Sequence, residues 1–182
     1  PTRSGMREMS LMHVFRASAG RRDGRDPDQH YQDGERDLTL RSQKRRDGTD
    51  EAALRHNIAL DVSSLMNTIR LDVIVGMSDT PRVAKSVVNF GFQDMDSLWR
   101  DHRNPQDMAA AIRETLIANE PRLRPSTIEV RIDDTGPGKD QRLQFEIVAE
   151  MISNPSDIPL QFYAEVDPAA GKIALKRMQG KS

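Results

Sequence analysis

The run Glu120-Pro121-Arg122-Leu123 holds the most distinctive chemistry in the chain. A carboxylate and a guanidinium stand stiffly on either side of a proline, with a second guanidinium at Arg124. Such an arrangement is good at pairing with complementary charge. It reads in two ways: as a docking site for another protein, or as an ordinary helix stop with solvated ion pairs worth about 0–1 kcal/mol. Other reactive groups are scarce. The chain has no cysteine, which removes disulfides, thiolate metal sites and a cysteine nucleophile. The four histidines, His13, His30, His56 and His102, never stand three or four residues apart, so no helix presents two of them as a metal pair. Serine-hydrolase, Walker, zinc-protease and dinucleotide fingerprints are absent. Gly136-Pro137-Gly138 is not followed by a helix, so it makes a poor phosphate cradle. No catalytic, metal-binding or cofactor-binding residue is therefore assigned. A glycosidase would need two carboxylates about 5–10 Å apart in a cleft. Among 28 acidic residues, Glu120 with Asp101 or Glu114 can be named only as a guess.

The corner is positioned by a helix. Asn104 suits an N-cap, Pro105 the first helical position and Asp107 the third. Met108, Ala111, Ile112, Thr115 and Leu116 then fall on one stripe. Pro121 disfavours helical geometry at Glu120 and ends the ladder. The macrodipole makes a carboxylate at that end unfavourable by about 0.3–1 kcal/mol.

A longer helix precedes it. Thr49 or Asp50 caps it, and Leu54, Ile58, Val62, Leu65, Met66 and Ile69 follow on one face. Asn67 and Thr68 read as a polar pair at its end. Between the helices, Leu71 to Val75 is strand or buried loop. Thr80-Pro81 and Ser86 each start a brief helix, with Gly91 as a stop between Phe90 and Phe92, and Asp94 to Asp101 forms another short helical piece.

After the corner the period changes to two. Ile128, Val130 and Ile132 alternate with charged residues, as do Leu143, Phe145, Ile147, Ala149 and Met151. A turn from Asp133 to Asp140 joins them into an antiparallel hairpin with one wet face. Leu160, Phe162, Ala164 and Val166 alternate again, and Ile173 and Leu175 follow a turn at 167–171. The expected fold is α+β: N-terminal helices packed on a three- to four-stranded, mainly antiparallel sheet.

Residues 1–37 are expected to form a charged, largely disordered arm, and 38–178 the folded domain. From Arg16 to Asp37 the only apolar residues are Ala17, Ala19 and Tyr31, too few to offset ordering entropy. A patch of Met9, Leu11, Met12 and Phe15 suits one or two amphipathic turns. The Arg clusters at 21–25 and 41–46 do not indicate nucleic acid, because residues 1–50 hold 11 Lys/Arg against 9 Asp/Glu, a balance of +2. The whole chain, 182 residues at −1, matches neither nucleic acid nor an anionic membrane. No apolar run approaches the ~20 residues of a bilayer span, and His13 interrupts the only N-terminal apolar stretch.

Four blocks together resemble the TssE family of type VI secretion baseplates, which is similar to the lysozyme-like baseplate wedge protein of contractile phage tails. They are Leu65-Met66-Asn67-Thr68, Ser86 to Phe92, Glu120-Pro121-Arg122-Leu123, and the alternation from Leu143 to Met151. The likeness covers roughly residues 38–177. Ile69 stands where the family often has Arg, and Phe90 where it usually has Tyr. The resemblance implies a non-enzymatic, cytoplasmic baseplate part at the inner face of the cell envelope. It would dock to the wedge proteins TssK, TssF and TssG and nucleate the sheath of TssB and TssC. It would use no cofactor, and neither bind nucleic acid nor insert in the membrane. Glu120, Pro121, Arg122 and Leu123 would be the partner-binding motif, and the strand at 160–166 or 172–177 the edge that pairs with a foreign strand. The lysozyme-like label implies the alternative, a peptidoglycan-cleaving glycosidase.

Overall fold

A computed structural model describes residues 6–21, 31–32, 35–36, 48–94, 104–133, 143–167 and 171–177. The chain forms two compact units, one of residues 1–57 with 153–156, the other of 58–152 with 157–182.

In the first unit, helix α1 spans Leu11–Arg21. It runs past Phe15, where the apolar residues thin out, because Ala17 and Ala19 are good helix formers and Ser18 is buried with His13 and Val14. Leu11, Met12 and Phe15 of the expected amphipathic patch are exposed instead. A short ladder pairs β1 (Tyr31–Gln32) with β2 (Glu35–Arg36). Arg7 and Thr49 exchange backbone hydrogen bonds of 2.8 and 2.9 Å. That close approach requires Gly48: its φ is +78°, and a Cβ there would lie 2.5 Å from the Arg7 carbonyl.

Helix α2 spans Glu51–Met66. Asp50 is its cap, accepting from the Ala53 amide at 2.6 Å. Leu54, Ile58, Val62, Leu65 and Met66 are all buried, as their spacing predicts. Ile69 is not part of this face. The helix has ended, and Ile69 is 54% exposed.

The second unit holds the rest. Leu71 to Val75 is neither strand nor buried: 71–73 is a single 3-10 turn, and Val73, Ile74 and Val75 are exposed. Helix α3, Pro81–Ala84, follows Thr80, and Ser86 caps a 3-10 turn at Val87–Asn89 by accepting from the Val88 amide. Gly91, at φ +141°, lets Phe92 bury itself completely. The short helix expected from Asp94 to Asp101 and the turn from Asp133 to Asp140 lie largely outside the described residues, as do both arginine clusters.

Helix α4, Pro105–Asn119, begins at Asn104, whose side chain accepts from the Gln106 amide. Met108, Ala111, Ile112, Thr115 and Leu116 are its buried face. The sheet is antiparallel in the order β3 (Glu129–Ile132), β4 (Leu143–Met151), β5 (Ile158–Asp167), β6 (Lys172–Arg177). Phe145, Ile147, Ala149 and Met151 line one face with Ile158, Leu160, Phe162, Ala164, Val166 and Ile173. Each such large apolar side chain contributes about 1.5–3 kcal/mol when fully buried. The fold is α+β with the helices N-terminal to the sheet, as expected. One expected edge is corrected: 160–166 lies within β5, which is paired on both sides, so the sheet margins are β3 and β6.

Candidate functional site

The corner after α4 is folded onto the sheet. The Leu123 amide donates to the Glu120 carbonyl, closing the turn around Pro121. Beyond it, the Ile152 amide donates to the Arg122 carbonyl at 2.8 Å, and the Arg124 amide to the Glu150 carbonyl at 2.9 Å. Leu123 thus bridges Met151, alongside the end of β4 that β3 does not reach. Its side chain is buried. A 3-10 turn at Pro125–Thr127 then leads into β3, with the Thr127 hydroxyl accepting from the Glu150 amide.

The charges at the corner are matched within the chain. Glu120 presents Oε1 to Arg122 Nε at 2.6 Å and to the Arg122 amide at 3.2 Å, and Oε2 to Nη2 at 2.5 Å. Arg122 Nη2 also donates to Asp61 Oδ2 of α2 at 2.8 Å. One guanidinium therefore bridges two helices through two carboxylates. Burial works against its charge, but the hydrogen bonds and fields of Glu120 and Asp61 outweigh that and hold its pKa above the ordinary arginine value. The guanidinium also answers the unfavourable helix-end carboxylate, since a cation belongs beside a helix C-terminus. The pair is thus not the solvated one that the helix-stop reading expects. The Glu120 side chain is only 7% exposed against 27% for Arg122. Of the four motif residues, Glu120 and Leu123 face inward, while Pro121 and part of Arg122 remain accessible.

A second feature lies at the end of α2. Asn67, read as a helix-end polar residue, donates from Nδ2 to the Ser63 carbonyl at 2.8 Å and to the Ile173 carbonyl at 2.9 Å. Its Oδ1 accepts from the Ile173 amide at 3.3 Å. The side-chain amide therefore imitates a strand against the outer edge of β6. Because the Ile173 N–H and C=O both turn to Asn67, they point away from Val166, its partner in β5. Alternation then directs the backbone groups of Ala174 and Lys176 to β5 and those of Leu175 outward. The sequence signal was available only in the resemblance, whose Asn-Thr pair includes this asparagine. No periodicity rule assigns a strand partner to a residue at a helix end.

Of the carboxylates named for glycoside hydrolysis, the described ones show no catalytic arrangement. Glu120 is committed to Arg122, Glu114 is exposed on α4, and Asp101 lies outside the described residues. His13 is buried and His56 exposed, while His30 and His102 are outside the described residues. Among the described residues no cluster of His, Asp or Glu could hold a metal, and no helix is long and apolar enough to cross a membrane.

A family model described as baseplate wedge protein gp25 matches residues 52–156, more than half of the chain. The match takes in nearly all of α2, the turns around Asn89, α4, the corner, β3 and β4. No curated protein and no solved structure matches the chain.

Proposed function

The chain belongs to the baseplate wedge protein gp25 family, and on that premise we propose that it is the TssE-type subunit of a type VI secretion baseplate. In this role it is a structural part. It docks to the wedge proteins TssK, TssF and TssG through the corner at Glu120, Pro121, Arg122 and Leu123, and it nucleates the sheath of TssB and TssC at the inner face of the cell envelope. The observation that carries the reading is the corner itself. It is stitched to β4 and locked by the Asp61–Arg122–Glu120 bridge, so Pro121 and the accessible part of Arg122 are presented in one fixed orientation. A preorganised cation of this kind supplies register and orientation to a partner more than raw affinity. The sheet supports the sheath half of the proposal, because β6 is a margin with the backbone of Leu175 directed outward, a template for strand addition.

The test is to replace Arg122 by alanine in cells whose sheath subunit is fluorescent, with the abundance of the variant measured alongside. Sheaths should disappear while the variant remains present. Normal sheath numbers in that strain would overturn the docking role.

A further inference from the structure

The segment from Arg70 to Phe90 is built inside out. Its centre is polar. Asn89, buried, donates from Nδ2 to Asp72 Oδ2 at 3.0 Å and to the Ala84 carbonyl at 2.9 Å, and its Oδ1 accepts from the Asp72 amide at 2.9 Å. Arg70 Nε donates to Asp72 Oδ1 at 3.1 Å. This knot gathers the 3-10 turn at 71–73, α3 and the turn at 87–89 around one amide. The apolar side chains, by contrast, face water. Val87 is 89% exposed, Ile74 75% and Val88 60%, with Val75, Val83 and Phe90 also exposed. Neither the 71–73 turn nor α3 buries a single residue. So many large apolar groups left outside a satisfied polar centre mark an interaction surface.

The character of the occupant follows from two further observations. Much of the backbone around these side chains is used: the amides of Val73, Ile74, Val75, Thr80, Val83, Ala84, Ser86, Asn89 and Phe90 donate within the segment. Apart from Gly76 to Asp79, whose amides have no acceptor within it, the segment offers no row of unpaired amides, so a partner covering Ile74, Val83, Val87 and Val88 is read through side chains, which is the mode of an amphipathic helix. Charge gives its flank. Arg82 and Lys85 are exposed beside the patch, and no described carboxylate pairs with either, whereas Arg70 is held by Asp72. We propose that these three turns dock a helix of another protein that carries an aliphatic stripe bordered by acidic residues. The stripe covers Ile74, Val83, Val87 and Val88, and the acidic border meets Arg82 and Lys85. This surface is separate from the Glu120 corner, and the proposal stands whether or not the baseplate reading does, since that reading is judged by sheath counts in the Arg122 variant.

The experiment places a photo-crosslinking benzoylphenylalanine at Val87, and separately at Ile74, in the full chain expressed in its own cells. Adducts are mapped by mass spectrometry, with Glu114 on α4 as the control position. Both sites should trap the same segment of one other protein. That segment should show aliphatic residues at three- and four-residue spacing with Asp or Glu on the flank. Arg82→Glu combined with Lys85→Glu should lower the yield at least tenfold without moving the melting temperature. The proposal is overturned by any of four results: no adduct, an adduct to a second copy of this chain, a trapped segment lacking the acidic flank, or a yield indifferent to the charge reversal.

Discussion

Truncating Arg122 would leave the Glu120 carboxylate nearly buried, with its backbone hydrogen bond but without its counter-charge. Stranding a fully buried ion costs about 3–5 kcal/mol, and the partial exposure of this guanidinium brings the expectation for Arg122→Ala nearer to about 2–3 kcal/mol. Glu120→Gln should cost less, because Arg122 keeps Asp61 and the amide oxygen can still accept from the Arg122 N–H. Urea unfolding of the two variants checks that order, and an equal or reversed order would show that the Asp61 contact carries no weight. A milder effect belongs to Glu51. A hydrogen bond from Arg55, followed by the fields of Arg55 and Arg7, lowers its pKa below the usual 4.5 in spite of some desolvation. A depressed carboxylate stabilises the fold above its unfolded pKa, and that contribution is lost as pH falls through the folded value. Glu51→Gln should therefore be less stable than the parent at neutral pH, and the gap should close below about pH 4.5. Because the side chain is 41% exposed, solvent screening limits the gap to about 0.2–1 kcal/mol. Chemical denaturation at several pH values measures it.

At the scale of elements, regular periodicity was legible and local tertiary bonding was not. The apolar faces of α2 and α4 and the alternation of β4 and β5 follow from spacing, because a 3.6- or 2-residue period sorts side chains to one side whatever the neighbours are. The turns from Leu71 to Asn89 defeat that logic. Leu71 to Val75 looks like something to bury, yet what holds it is the Asn89 amide 17 residues away, a contact no local pattern encodes. Asn89→Ala should accordingly release three hydrogen bonds and cost about 2–3 kcal/mol, at roughly 1 kcal/mol each. Gly91 reads as a stop from the sequence, but its reason is sharper than a helix end. Ile69 and Phe92 share a parallel bridge in which the Phe92 amide reaches the Thr68 carbonyl at 2.7 Å and the Arg70 amide the Phe92 carbonyl at 2.9 Å, and a Cβ on Gly91 would meet the Thr68 carbonyl at 2.4 Å. With φ at +141° as well, Gly91→Ala should destabilise by more than about 1–3 kcal/mol. Retention of the parent midpoint in thermal unfolding would count against this geometry. The corner was visible as a helix stop followed by charge. Its burial was not, since the Asp61 that completes it lies 61 residues earlier.

For the molecule as a member of an assembly, the decisive question is which sheet margin another chain can use. β3 is only four residues long, and the end of β4 beyond it is occupied by Arg122 to Arg124. β6 is longer, yet Asn67 already holds Ile173, so an arriving strand finds outward backbone groups from Leu175 onward unless it displaces that asparagine. This parity makes proline a selective probe. At Leu175 it removes an amide that faces away from β5, so the internal ladder survives and the main penalty is the loss of a half-buried side chain. At Lys176 it removes an amide that faces β5 and breaks the ladder itself. Leu175→Pro should therefore fold with a modest loss of about 1–2 kcal/mol, following the partial loss of apolar burial, yet fail to support sheath assembly in cells. Lys176→Pro should lose several-fold more stability. Hydrogen exchange supplies the internal control: in the parent chain the Ala174 and Lys176 amides should be protected and the Leu175 amide not, while Asn67→Ala should unprotect Ile173 alone. If Leu175→Pro builds sheaths at the normal level while folded, strand addition at β6 is excluded, which leaves the short margin β3 and the side-chain surfaces.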